Sequence, residues 1–160
     1  MAYLAKADYT ISIAITHLDE ILGQAAATSG QSADTIRLQA ELVAQSEIAA
    51  YISNRFNVNA EFAKDSADTT RAPLMKKCVV DIALYNIHHT VAPRDIPEMR
   101  EKIYHDWIEM LEAIRDGKMT FTGLTPVADP LEKTFIGSQR KFISRPYQDA
   151  SLQETENDPA

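Results

Sequence analysis

Helical periodicity runs through this chain as far as Gly117 and then stops. Before that glycine, three long segments repeat apolar residues at three- and four-residue steps; from Lys118 to Ala160 none does. A chain so patterned packs helices on one another and then continues as something else. The remainder is not a plain polar tail. It carries Phe121, Leu124, Leu131, Phe135, Ile136, Phe142, Ile143 and Tyr147, with Lys133, Arg140, Lys141 and Arg145 among them. Apolar residues without a domain of their own need a surface to bury against, and the simplest supplier is another chain.

Residues 3–24 read as a short helix, a turn and a second short helix ending at Gly23, with Asp8 capping or starting the first. The alternation of Ile11, Ile13 and Ile15 keeps a short strand as a rival there, and residues 25–31 read as a loop. Ser32 opens the first long helix, with Asp34 at the positive end of its dipole, and the pattern continues to Asn54. Two apolar stripes run along it: Leu38, Leu42, Ala49, Ile52 and Phe56 on one, Ile36, Ala40, Val43 and Ala50 on the other. Phe56, Val58, Ala60 and Phe62 alternate as in a short strand. Pro73 stands where a first helical turn tolerates proline, and the helix it opens is apolar over most of its circumference up to His89, which marks it as the central one. Val91-Ala92-Pro93 breaks it. Asp95 and Pro97 start the last helix, whose stripe is Ile96, Met99, Ile103, Trp107, Met110 and Ile114, closed by a left-handed turn at Gly117. Beyond it, Met119-Thr120-Phe121 is a candidate strand, and residues 134–144 have the composition of a hairpin or of a strand added to a neighbour's sheet edge. Asp149, Glu154, Glu156 and Asp158 then follow without a base. The expected fold class is mainly α, a small helical bundle with an extended, partly β C-terminal arm. The expected divisions are a helical domain over 1–117, a docking arm over 118–148 and an acidic flexible tail over 149–160.

Several function classes are excluded on composition. A hydrophobic content of 45% is globular, and no apolar run approaches the roughly 18–20 residues of a membrane span. Met1-Ala2-Tyr3-Leu4 does not read as a secretory signal. The single cysteine, Cys78, lies in an apolar helical stretch and reads as a buried thiol in a reducing compartment. A net charge of -7 opposes general nucleic-acid binding, and Arg140-Lys141 beside Phe142 is a small basic footprint that suits a protein partner better. The five glycines form no phosphate-cradling loop. His88 and His89 are adjacent, so on a helix they diverge by about 100° and do not chelate together. Neither pairs with another His, Asp or Glu at a metalloprotein spacing, and His105 with Glu101 or Glu109 reads as a solvated face. No catalytic residue, metal ligand or cofactor is therefore expected.

With the order of elements established, the chain resembles the small head–tail adaptor (connector) proteins of tailed bacteriophages, in particular the Mu-like group. The residues that carry the resemblance are the opening Tyr3-Leu4 and Asp8, and the segment Ala49-Ala50-Tyr51-Ile52-Ser53-Asn54-Arg55-Phe56. Further on they are the proline-started helix Ala72-Pro73-Leu74-Met75-Lys76-Lys77-Cys78-Val79-Val80-Asp81-Ile82-Ala83-Leu84-Tyr85, and Tyr104, Trp107, Leu111 and Gly117-Lys118 of the closing helix. The resemblance covers residues 3–122. It implies a helical, non-enzymatic virion protein assembled as a homo-oligomeric ring, usually of twelve copies. The ring would lie under the portal protein of the DNA-filled head, extend its channel without binding DNA specifically, and meet a head-closure or tail protein below. The implied location is the virion, with assembly in the host cytoplasm and no membrane. On this reading Phe135, Ile136, Arg140, Lys141, Phe142, Arg145 and Tyr147 dock on a neighbouring adaptor subunit or the portal. Two other readings stay open from the residues alone: a small cytoplasmic helical binding or regulatory module, and a small enzyme using His88, His89 or His105.

Overall fold

A computed structural model describes residues 2–91 and 96–127. A 3-10 helix, Lys6–Ile11, leads into five α-helices: α1 (Ile15–Ser29), α2 (Ala33–Ile52), α3 (Val58–Phe62), α4 (Pro73–Val91) and α5 (Glu98–Arg115). The protein is mainly α, as its periodicity predicts, and the described residues contain no strand beyond one isolated bridge. The candidate hairpin at 134–144 lies outside the described residues, as do Ala92-Pro93 and Asp95, the expected break and helix start between α4 and α5.

The architecture follows from α4. Its buried residues, Met75, Cys78, Val79, Val80, Asp81, Ile82, Ala83, Leu84 and Ile87, point in every direction, so it must be enclosed. The longest contact is with α2; α1 and α5 lie on either side of that pair, and the 3-10 helix packs on α4 as well. α2 offers α4 a narrow stripe of Ile36, Ala40, Ala44, Ile48 and Ile52, in which the alanines allow close approach. Trp107, Leu111 and Ile114 of α5 complete the core.

Local signals set most of the boundaries. Ser32 caps α2 by accepting the Thr35 N–H at 3.2 Å. Asp8 accepts the Ala5 N–H at 2.9 Å and so closes the start of the 3-10 helix. The expected end of α1 at Gly23 is corrected. Ala25, Ala26 and Ala27 continue the helix, Ala25 is buried in the core, and the turn falls at Gly30, with φ of 71°. The rival strand at Ile11, Ile13 and Ile15 does not form, because the first ends the 3-10 helix and the last begins α1. The short strand expected at 56–62 is also absent. Asn57 accepts the Ala60 N–H at 3.2 Å and nucleates the one-turn α3, leaving Phe56 alone in a bridge with Pro126.

The residues just after α5 correct a second expectation. Phe121 is 1% exposed, and Leu124 packs against the same core, so neither needs another chain. Asn57 N–H donates to the Thr125 carbonyl at 2.9 Å, and Val127 N–H donates to the Arg55 carbonyl at 2.8 Å. The strand expected at Met119–Phe121 is a turn and coil instead. The compact unit runs over Met1–Val127.

Candidate interaction surface

The surface of interest begins with an inversion on α2. A long helix at a protein surface ordinarily turns its charges outward and its leucines inward. Here Arg37 and Glu41 are buried, whereas Leu38, Leu42 and Val43 are 37%, 60% and 54% exposed. The expected stripe of Leu38 and Leu42 and the placement of Val43 with Ile36 and Ala40 are therefore corrected: all three leave the core.

The cause lies in the N-terminal segment. Residues 2–4 lie against α2 without forming a helix of their own, so their N–H groups need acceptors. Glu41 Oε1 takes the N–H of Tyr3 at 2.8 Å, the N–H of Leu4 at 3.0 Å and Gln45 Nε2 at 3.1 Å. Arg37 Nη1 donates to the Leu4 carbonyl at 3.4 Å and lies 3.8 Å from Glu41 Oε2. Burial pushes the Glu41 carboxyl above its ordinary range, although these two N–H groups and Arg37 pull the other way. With that flank of α2 occupied by Tyr3 and Leu4, and another by α4, the outward side after the exposed Asp34 of the first turn falls to Thr35, Leu38, Gln39, Leu42, Val43, Ser46 and Ala50, at helical spacing and without a charge. Over 20 residues the helix is about 30 Å long.

Grooves flank this crest. One, of about 320 Å³, runs between Gln39, Ala40 and Val43 on one wall and Asn86, His89 and Thr90 on the other. A second, also of about 320 Å³, lies between Leu42, Ser46 and Ala49 and the α3 residues Asn59 and Phe62. A third, of about 380 Å³, is lined by Ala2, Leu38, Glu41, Leu42 and Gln45. The contrast is α5, whose outward side carries Glu98, Glu101, Lys102, His105, Asp106, Glu109 and Glu112, all exposed.

Other carboxylates act as internal fasteners. Asp81, in the apolar helix α4, accepts Trp107 Nε1 at 3.0 Å and Lys77 Nζ at 2.8 Å, and Arg100 Nη1 lies at 3.8 Å. Glu61 accepts the Tyr3 hydroxyl at 2.9 Å and the Ala72 N–H at 2.7 Å. Asp8 meets Arg71 Nη1 at 2.9 Å and Lys76 Nζ at 3.0 Å; burial alone would raise its carboxyl, but these bonds and the Ala5 N–H hold it below the usual range. The sequence offers Asp8 as a cap and Asp81 as part of a helix motif, does not mark out Glu61, and gives none of the three as an internal fastener. The available signal was an acid inside an otherwise apolar helix, at Asp81, with a single tryptophan at helical register on α5.

The histidines do not converge. His17 is exposed and 3.3 Å from Glu20, His105 is exposed and 3.9 Å from Glu101, and His89 sits beside Tyr85. His88 lines a groove with Ser12, Ile13, Met99 and Arg100, where burial first, then Arg100 and His17, lower its pKa. Among the described residues no group of three or more His, Cys, Asp or Glu side chains is placed to hold a metal ion. Cys78 is fully buried, and that burial drives its thiol pKa far up, away from thiolate reactivity. No described helix is long and apolar enough to cross a membrane. The expected docking residues Phe135, Ile136, Arg140, Lys141, Phe142, Arg145 and Tyr147 all lie outside the described residues.

Fold and surface together define a class: a small all-helical protein, fastened internally by buried carboxylates and carrying an exposed apolar crest along α2. The chain belongs to the Bacteriophage Mu Gp36 family, a family of Mu-like phage structural proteins, whose model matches residues 3–134. No curated protein and no solved structure matches it.

Proposed function

We propose that the protein is a head–tail adaptor of a Mu-like phage. Copies assemble as a ring, usually of twelve, beneath the portal protein and extend its channel. The ring's far side receives the head-closure or tail protein, and DNA passes through without specific binding. The observation that carries this reading is the family match across residues 3–134. The neutral crest of α2 supports it, because an acidic chain that joins copies of itself needs a face where like charges do not meet. The net charge of -7 suits a channel through which DNA slides. Phe135, Ile136 and Phe142 are assigned to apolar pockets on a neighbouring adaptor or the portal, with Arg140, Lys141, Arg145 and Tyr147 meeting polar and acidic groups there. The protein acts without a cofactor, at the head–tail junction of the virion.

Electron microscopy of the purified full chain mixed with the portal of the same phage tests the reading. The expected result is an added ring of density stacked on the portal. A chain that stays monomeric and does not bind portal overturns it, and is what a cytoplasmic helical binding module would give.

A further inference from the structure

A ring needs two different mating faces on each subunit; a single self-complementary face closes at two copies and goes no further. The described body has two apolar surfaces built from separate elements. One is the crest of α2. The other is the corner where Ser12 and Ile13, just after the 3-10 helix, face the first turn of α5 across a groove. There Met99 is 67% exposed, the highest of any large hydrophobic described. Ile13 and Ile103 line the groove beside it. The corner is held rigid. Arg100 Nη2 donates to the Ser12 carbonyl at 2.6 Å and Nη1 lies 3.8 Å from Asp81, so the guanidinium faces inward and ties the two elements together.

We infer that neighbouring copies join head to tail, with the Met99 corner of one seated on the α2 crest of the next. The shapes suit each other. Met99 is a flexible, polarizable knob, and the crest offers grooves of about 320 and 380 Å³ on either side of Leu42. Charge argues for a second copy as the occupant. The three grooves along α2 are lined by nineteen different residues, and the only ionisable ones are Glu41, which is 1% exposed, and His89. In a chain of net charge -7 this is where another acidic copy approaches without repulsion. This deepens the ring reading and rests on it for closure.

Mixing tests the inference. Leu42→Glu spoils the crest and leaves the corner; Met99→Glu spoils the corner and leaves the crest. Sedimentation velocity of the full chain, up to millimolar concentration, is expected to show higher oligomers for the wild type and monomers for each variant. An equimolar mixture of the variants has one intact pair of faces and is expected to stop at twice the 17.8 kDa protomer mass. Circular dichroism and Tm confirm that each variant is folded, and Leu42→Gln with Met99→Gln replaces any that is not. A monomeric wild type, a variant that assembles normally, or a mixture that fails to dimerise each overturns the inference. Loss of assembly by Leu42→Glu alone with no rescue means that crest meets crest or another partner. Portal binding separates this from the adaptor reading: binding by both variants as rings refutes the pairing and keeps the adaptor, whereas wild-type oligomers without portal binding do the reverse.

Discussion

At the scale of single residues, the fold is fastened by acids placed where none would ordinarily go. Asp81 lies in the interior of the central helix, and its partner Trp107 is on the amphipathic α5. Trp107→Phe keeps the ring and removes the donor, and should cost about 1–3 kcal/mol in urea unfolding. Two other acids give opposite pH signatures. Asp8 titrates below its ordinary value, so the stability it contributes is present above the ordinary aspartate range and is lost as pH falls through the depressed value. Glu41 titrates above its ordinary value, so its stabilisation is complete below the ordinary glutamate range and fades as pH rises through the raised value. Thermal unfolding across acid pH should therefore show Asp8→Asn flattening the steep acid limb and Glu41→Gln flattening the opposing decline. These roles were hardly legible in the sequence. Tyr3 and Asp8 were noticed as positions in a motif, but the motif does not say that Tyr3 reaches Glu61 or that Asp8 holds Arg71, contacts that span 58 and 63 residues of chain.

Helices were the most legible level, because a helix is written in local spacing. Ser32, Pro73 and the Met99–Ile114 stripe all mark α-helices that form. Misreadings came where a local signal was outweighed by contacts from elsewhere. Gly23 suggested an end to α1, yet nothing lies within 4 Å of where its Cβ would be, so no packing demands a turn there. Leu38 and Leu42 suggested core, yet the N-terminal segment claims the flank of α2 beside them. Gly117 is different: its φ is 82°, and an added Cβ would come within 3.3 Å of Arg55 Nη1, the group that donates to the Ile114 carbonyl at 2.6 Å. Gly117→Ala should thus cost about 1–2 kcal/mol from the left-handed backbone alone, with Arg55 displaced in addition. Urea denaturation of that variant beside Gly23→Ala, which should be neutral or stabilising, separates the two glycines.

For the whole molecule, the family resemblance was legible because its motifs are fasteners: Arg55 reaches the last turn of α5, Phe56 bridges Pro126, and Asp81 holds Trp107. The candidate contact face was not, since exposure of Leu42 depends on what covers the other sides of α2. The body boundary was misplaced for a similar reason, with Phe121 and Leu124 completing the core from beyond the last helix. A truncation after residue 127 should keep the Tm of the full chain and lose assembly onto the portal. One after residue 122 removes Thr125 and Val127 from their backbone partners and should lower Tm as well, so only the longer body isolates the docking segment. Scanning calorimetry and negative-stain images of the two truncations would check this.

The clip formed by Asn57 with Thr125 and Val127 with Arg55 also decides where tension enters. A pull transmitted along the chain from beyond Val127 loads two backbone bonds beside the end of α2 before it strains Phe121 or unwinds α5. Such an arrangement sets two backbone bonds between that pull and the buried Phe121.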